Sequence, residues 1–320
     1  MIGAVYRGVA RHPVLAFFVV FAIFPWVVPY KSLAAQVLIY GLFALGFNML
    51  YGYTGLLSFG SAAYWGLGAY GTGIALAKLK ITSVWLALGI GVGTAGLGGA
   101  LIGMFCLRRR GIYFAMLTLA FAQLLYFIGF HLADWTGGDD GLRGITVPPI
   151  TLPGLSIALD SSTKLYYFEL VVVGVAVALL DRILKSPFGT VLQAIRENAA
   201  RAAACGYDIA RVKWLSFVFY AVFMGLAGGL EALRLGVVPI ESLFWSTSGQ
   251  VVIMTLLGGA GTFFGPFVGA AAWLVLEDRI AVYTESWALV IGSIFILFVI
   301  FLPKGIWGTF LARLSPHARG

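Results

Sequence analysis

Six polar side chains stand inside otherwise apolar runs: Asn48, Thr118, Gln123, Glu169, Glu231 and Gln250. A carboxylate or amide in hydrocarbon is costly, so such residues either mark a solute or ion path or bond one helix to another. Glu231 precedes Arg234 by three residues, which puts both on one helix face, and the pair is expected near the outer surface. Glu169 falls near the outer end of its own run. No series of buried carboxylates of the kind a proton-driven carrier needs is visible. Asn48, Thr118, Gln123 and Gln250, with Ser58 in the turn that follows Asn48, are the candidates for lining a path. Holding helices together is the competing role for each.

Other chemistries are poorly served. His12, His131 and His317 are scattered and form no His-x-x-x-His pair or Cys–His cluster. A Gly-Lys-Ser or Gly-Lys-Thr end to a phosphate loop is missing, as is a Gly-x-Ser-x-Gly nucleophile turn. Asp134, Asp139 and Asp140 cluster around Thr136-Gly137-Gly138 and Gly141. Their spacing lacks the alternating ligands and closing Glu of a calcium loop, and Gly-Asp clusters make turns. No metal, cofactor or catalysis is expected of this chain.

The elements that must position these residues are membrane spans. Of 320 residues, 61% are apolar and 11% charged, against about 25% charged in a soluble domain. The reading is an all-α polytopic membrane protein forming one domain. The net charge of +8 does not imply nucleic acid, because the basic residues lie between the apolar runs. The first run, Val14 to Val28, is read as an uncleaved span because more spans follow at once. Further segments run from Leu33 to Leu50, Ser61 to Ala77, Trp85 to Leu107, Ile112 to Leu132, Leu165 to Leu184 and Val212 to Leu235. Ser248 to Glu277 is broken by glycines into two short segments, and Trp287 to Leu302 closes the series. That makes about ten transmembrane or half-membrane segments with both termini inside. The 21 Lys and Arg residues divide about two to one in favour of the inside. Arg7, Arg11, Arg108-Arg109-Arg110, Lys304, Arg313 and Arg319 lie there, and Lys31, Arg143, Lys164, Arg234 and Arg279 lie outside. Residues 133–164 form the long outer loop. Cys106 and Cys205 both fall inside, where a disulfide is not expected.

Between the sixth and seventh segments, residues 186–213 turn polar and helical. Ser186 suits an N-cap, Pro187 the first helical position, and Gly206 the left-handed residue that ends a helix. Phe188, Val191, Leu192, Ile195, Ala199, Ala202 and Ala203 fall on one face at helical spacing, with Gln193, Arg196, Glu197 and Arg201 opposite. Two readings are open: an interfacial helix that only joins two spans, or a docking surface for a soluble partner. The Ala and Gly surface favours the partner. In the fourth segment, Gly91, Ala95, Gly99 and Gly103 form an uninterrupted series of small residues. A second series from Gly89 and Gly93 is broken by Leu97. Such series let helices approach closely in lipid. A weak internal echo links Gly52-x-x-Gly55 with Phe59-Gly60 to Gly258-x-x-Gly261 with Phe264-Gly265, and chance explains it equally well.

The stretch Gly258-Gly259-Ala260-Gly261-Thr262-Phe263-Phe264-Gly265-Pro266-Phe267-Val268-Gly269-Ala270 closely resembles one in the permeases of branched-chain amino acid ABC importers, in their LivM-type branch. Thr136-Gly137-Gly138 with Gly141-Leu142 and Gly144-Ile145, and Gly111 to Phe121, resemble the same family. Arg196-Glu197-Asn198 followed by alanines and Gly206 is similar to the coupling loop, with Asn198 interrupting the usual Glu-Ala-Ala. The likeness runs from about Leu38 to Gly305. It implies an importer permease fold, cytoplasmic in its termini, in the inner membrane of a bacterium. It implies a paralogous permease partner, two ATPase subunits that bind ATP and magnesium, and an extracytoplasmic solute-binding protein. Branched-chain amino acids are the implied solutes, with urea, amides and aromatic acids served by the same family. The implied ATPase-coupling residues are Phe188, Gly189, Arg196, Glu197, Asn198, Ala199, Ala200, Ala203 and Gly206. Thr136, Gly137, Gly138, Asp140 and Gly141 mark the outer loop near which a binding protein docks. The rivals are a self-contained secondary carrier and a membrane scaffold that moves no solute.

Overall fold

Apolar runs punctuated by Gly, Pro and charged residues fold as helices at nearly every place their composition indicates. The computed structural model describes residues 13–28, 30–152, 155–157, 159, 161–284 and 286–314. Arg7, Arg11, His12, His317 and Arg319, and with them the expected inside position of both termini, lie outside the described residues. The helices are α1 (Pro13–Val27), α2 (Lys31–Asn48), α3 (Ser61–Ala77), α4 (Val84–Cys106), α5 (Ile112–His131) and α6 (Ser162–Lys185). They continue with α7 (Pro187–Ala204), α8 (Ile209–Leu235), α9 (Trp245–Gly258), α10 (Gly265–Tyr283), α11 (Trp287–Phe301) and α12 (Gly305–Leu314). By length and composition, five stretches can cross a membrane: Lys31–Tyr53, Val84–Cys106, Ile112–His131, Ile209–Leu235 and Leu289–Arg313. The glycine-broken region forms two helices, α9 and α10, joined at Gly259–Phe264, as expected. The fold is not wholly helical. Ile150–Leu152 and Leu155–Ile157 pair as a short antiparallel hairpin within residues 133–164.

Helices α2 and α8 form the centre. Nearly every residue from Leu33 to Asn48 is buried, and α8 packs on α2, α3 and α4. Helices α1, α4, α5 and α11 lie outside and expose large apolar side chains, Trp26, Leu97, Ile112 and Phe301 among them. Apolar surface on this scale belongs against lipid or another apolar protein surface. Broken backbone is repaired locally. Pro25 lies inside α1 and has no N–H to give the Phe21 carbonyl four residues back. The Tyr166 hydroxyl donates to that carbonyl instead, at 2.5 Å.

The small-residue series in α4 makes a close seam. A Cβ on Gly91 would meet Thr72 and the Gly68 carbonyl, one on Gly99 would meet Ala221, and one on Gly103 would meet Phe217 at 2.7 Å. Across α3 and α8, Gly68 faces the Gly225 backbone and Gly228 faces the Trp65 carbonyl, again with no room for a side chain. Gly89 and Gly93, the interrupted series, have nothing within 4 Å. The uninterrupted register therefore packs, and the interrupted one faces outward.

Contacts gather several charged residues at one end of the bundle. There the Lys31 ammonium donates to Thr163 at 2.7 Å, Tyr30 donates to Asp278, and Arg234 donates to Ser32 at 3.1 Å. Near that end the Glu231 and Arg234 pairing holds, but it is buried, with side chains 8% and 12% exposed. Its two bonds measure 2.6 and 2.7 Å. Glu169 is likewise fully buried, and neither of its oxygens has a hydrogen-bond partner among the described residues. Both carboxylates lie near that end of their helices and are buried there. Cys106 is buried and Cys205 exposed, and both are free thiols.

Two outcomes test this packing. Gly99→Leu is expected to abolish recovery of folded protein in detergent, while Gly93→Leu changes the thermal midpoint by less than about 0.5 kcal/mol equivalent. Arg234→Ala, which strands Glu231 among apolar neighbours, is expected to cost about 3–5 kcal/mol in denaturant unfolding. Changing Glu231 and Arg234 together to Leu and Met is expected to recover most of that loss.

Candidate functional site

Three interruptions of regular helix meet at one place. The first follows α2, whose last turn widens into a π-helical turn, Met49–Tyr53, before the chain unwinds through residues 54–60. The second is the glycine turn between α9 and α10. Gly261 has φ +82°, a conformation that L side chains resist. Gly258 and Gly269 are so close to Gly265 and Met254 respectively that neither has space for a Cβ. The long glycine motif is thus a helical hairpin closed backbone to backbone. The third is α7, which breaks at Asn198 (φ −157°, ψ 99°).

Asn48 joins the first two. Its amide nitrogen donates to the Thr262 carbonyl at 2.8 Å, and its amide oxygen accepts from the Gly261 N–H at 2.7 Å. Gly52 makes this reach possible, because a Cβ there would strike the Asn48 amide oxygen. The two halves of the internal echo, Gly52 and Gly261, are therefore spatial neighbours. A Cβ on Gly52 would lie 2.6 Å from the Gly261 nitrogen. Arg196 joins the third interruption, since its guanidinium donates to the Gly52 carbonyl.

Much of the unwound segment finds hydrogen-bond partners, as backbone inside a membrane bundle must. Gly55 N–H donates to Tyr51 and Leu56 N–H to Leu50, both at 3.1 Å. Phe59 N–H donates to the Thr118 hydroxyl at 3.1 Å, and Gly60 N–H to Ser58 at 3.2 Å. Ser248 accepts from Ala62 N–H at 2.9 Å, supplying the start of α3 with a cap from another helix. Ser61 and Tyr220 share a 2.7 Å bond beneath it. Of the candidate path residues, Asn48, Ser58 and Thr118 come together around these interruptions, and their hydrogen bonds are spent there. Gln123 and Gln250 are half-buried, on α5 and α9, which touch. Sequence reading did not single out Ser248 or Tyr220. Beside the unwound segment runs a cleft of about 540 Å³, lined by Gly55, Leu56, Leu57, Phe59 and the first turns of α5.

The family described as "Branched-chain amino acid transport system / permease component" matches residues 30–302. The chain belongs to this family. Two similar proteins are the high-affinity branched-chain amino acid transport system permease proteins LivM of Salmonella typhimurium and Escherichia coli K12. The first is 29% identical, over 91% of this chain and 73% of the relative, and the second 29%, over 86% and 69%. The permease protein LivH of Salmonella typhimurium is 24% identical, over 84% of this chain and 91% of its own length. No solved structure matches the chain.

In this permease the residues implied for coupling divide between two surfaces. Gly189 is buried with its α-carbon against the Leu184 carbonyl, and Phe188 packs edge-on to Phe219 at 5.9 Å. Glu197, Asn198, Ala200 and Gly206 are exposed, and Ala199 is half-buried. Ala203 was expected on the apolar face with Ala202; it is exposed because the break at Asn198 resets the helical phase. Asn198 acts as a cap, accepting from Arg201 N–H at 2.9 Å. Ser186 takes the N-cap position, but its hydroxyl turns back to the Ile183 carbonyl at 2.6 Å and does not cap α7. Gly206 closes the element with φ +88°, as expected.

At the other end, Thr136 donates to Gly129 at 2.5 Å and accepts from Gly138 N–H at 3.3 Å. Gly137, Gly138 and Gly141 all have positive φ. They deliver Leu142 to a two-bond bridge with Val238, each bond 2.9 Å. Asp140 stays exposed, 3.6 Å from Arg143. Among the described residues, no group of three His, Cys, Asp or Glu could hold a metal ion.

Asn48→Ala is expected to lower stability by about 1–3 kcal/mol, because it leaves a half-buried N–H and a half-buried carbonyl without their side-chain partner. Hydrogen exchange should locate the loss at residues 49–60 and 259–264 together, with α4 unaffected.

Proposed function

We propose that this permease is a membrane subunit of an ATP-driven importer, and that α7 is the surface on which a cytoplasmic ATPase bears. One observation carries the reading. α7 is a charged, alanine-lined helix that projects Glu197 and Ala200 outward while its Arg196 grips the interrupted membrane helices. A helix that only joined two spans has no need of that grip. The chain lacks a nucleotide loop, so hydrolysis resides in two partner subunits that hold ATP and magnesium. Closure of those subunits presses on α7 and shifts the bundle between outward- and inward-open states.

The importer is completed by a paralogous permease, in the way that both LivM and LivH relatives are named as permeases of one transport system. An extracytoplasmic solute-binding protein docks near Thr136 to Gly141. The chain is one transmembrane domain of ten segments with both termini in the cytoplasm, in a bacterial inner membrane. α9, at 14 residues, spans about 21 Å, so it is a half-membrane segment sheltered by α2 and α10. The solutes are branched-chain amino acids, in keeping with the relatives' names and with the apolar cleft beside residues 55–59. Urea, amides and aromatic acids are the alternatives within the family.

Glu197→Arg is expected to leave membrane insertion intact and to abolish solute-stimulated ATP hydrolysis by the assembled complex. Unchanged stimulation removes Glu197 from coupling. Uphill uptake by proteoliposomes holding this chain alone, without nucleotide, refutes the importer reading in favour of a secondary carrier.

A further inference from the structure

The Gly52 carbonyl is a vacant acceptor at the end of a buried helix. In a continuous α-helix it would accept from the N–H of Leu56, but the π-helical turn sends that N–H to Leu50 at 3.1 Å. Among the described residues no backbone donor takes its place. The position also sits at the C-terminal, negative end of the α2 dipole, where a cation is favoured. Arg196 reaches it from α7, 144 positions away. Its stem lies over Gly55, where a Cβ would be 3.2 Å from the Arg196 Cγ. Its guanidinium also lies beside the glycine turn, 3.3 Å from where a Cβ on Gly261 would stand.

On the far side of the same turn, Asn48 holds Gly261 and Thr262. An unbroken series of contacts therefore runs from α7 through Arg196 to Gly52, through Asn48 to the glycine turn, and so to α9 and α10. Phe188 and Gly189, at the other end of α7, only seat the helix on α6 and α8. Arg196 is the side chain of α7 that touches both interruptions.

We propose that Arg196 is a positioning residue for transport, a latch that makes α7 move the two membrane interruptions as one. The proposal rests on the ATPase-coupling reading of α7. When α7 is displaced, the guanidinium carries the Gly52 carbonyl with it, and the Asn48 clamp passes the displacement to the start of α10. Without the latch, α7 is still pushed by the ATPase but the interruptions stay behind. Loss of the latch therefore uncouples hydrolysis from uptake and does not prevent hydrolysis.

The test uses the complete complex of this chain, its paired permease, its ATPases and its solute-binding protein in proteoliposomes, with radiolabelled leucine as the probe. ATP hydrolysed per leucine taken up is measured for wild type, Arg196→Ala and Arg196→Lys. The alanine variant is expected to assemble with the ATPases and to raise that ratio about tenfold or more, the scale of one charge-assisted hydrogen bond. Lysine, which keeps the charge and one donor, should recover part of the loss. A purely structural role predicts reduced assembly with an unchanged ratio, and an unchanged ratio in either variant overturns the latch. If the alanine variant fails to assemble, the lysine variant decides alone, with a raised ratio supporting the latch. A wild-type chain that captures no ATPase overturns the coupling reading and the latch together, whereas a coupled wild type with an unmoved Arg196→Ala ratio overturns the latch only.

Discussion

The Asn48 side chain is the constraint on which the meeting place of the interrupted helices depends. Its amide offers one donor and one acceptor to two adjacent backbone groups of the glycine turn, at 2.8 and 2.7 Å. Those groups are half-buried, and leaving either unmet would cost up to about 1–3 kcal/mol. The rest follows from accommodating that clamp. Gly52 must lack a side chain to let Asn48 turn, α2 must widen into a π-helical turn, and the turn then exposes a carbonyl for Arg196. Thr118 and Ser58 do the same service for the unwound residues before α3, and Ser248 for its first turn. Polar residues inside this bundle are there chiefly because helices stop there.

Much of this was legible in the residues themselves. Apolar runs separated by basic clusters located the helices, because burial in lipid demands length and composition together. The α4 glycines sorted correctly, since the series that Leu97 interrupts cannot make a close seam. The glycine-rich hairpin was visible because backbone contact without side chains admits only glycine at Gly258 and Gly269. Asn198 carried a readable signal as well. An Asn before Ala-Ala-Arg is a cap pattern, and it would have turned Ala203 outward had it been weighed against the helical repeat.

What stayed hidden was long-range. Nothing local to Asn48 announces a partner 213 residues later, and nothing near Gly52 announces Arg196. The echo between the two glycine motifs pointed that way, but in a chain with 42 glycines such an echo has little weight until the two meet in space. The burial of Glu169 and Glu231 was hidden for a related reason, because position along a helix does not tell which neighbours cover a side chain.

The seam of α3, α4 and α8 has a mechanical consequence. Where Gly68 meets Gly225, Gly228 meets Trp65 and Gly99 meets Ala221, main chain presses on main chain with no rotamers between to yield. Three helices joined in this manner act as a stator. The α9–α10 hairpin, clamped by Asn48, and the α7 arm, held by Arg196, meet their neighbours through side chains, so the working motion of the machine finds its give there.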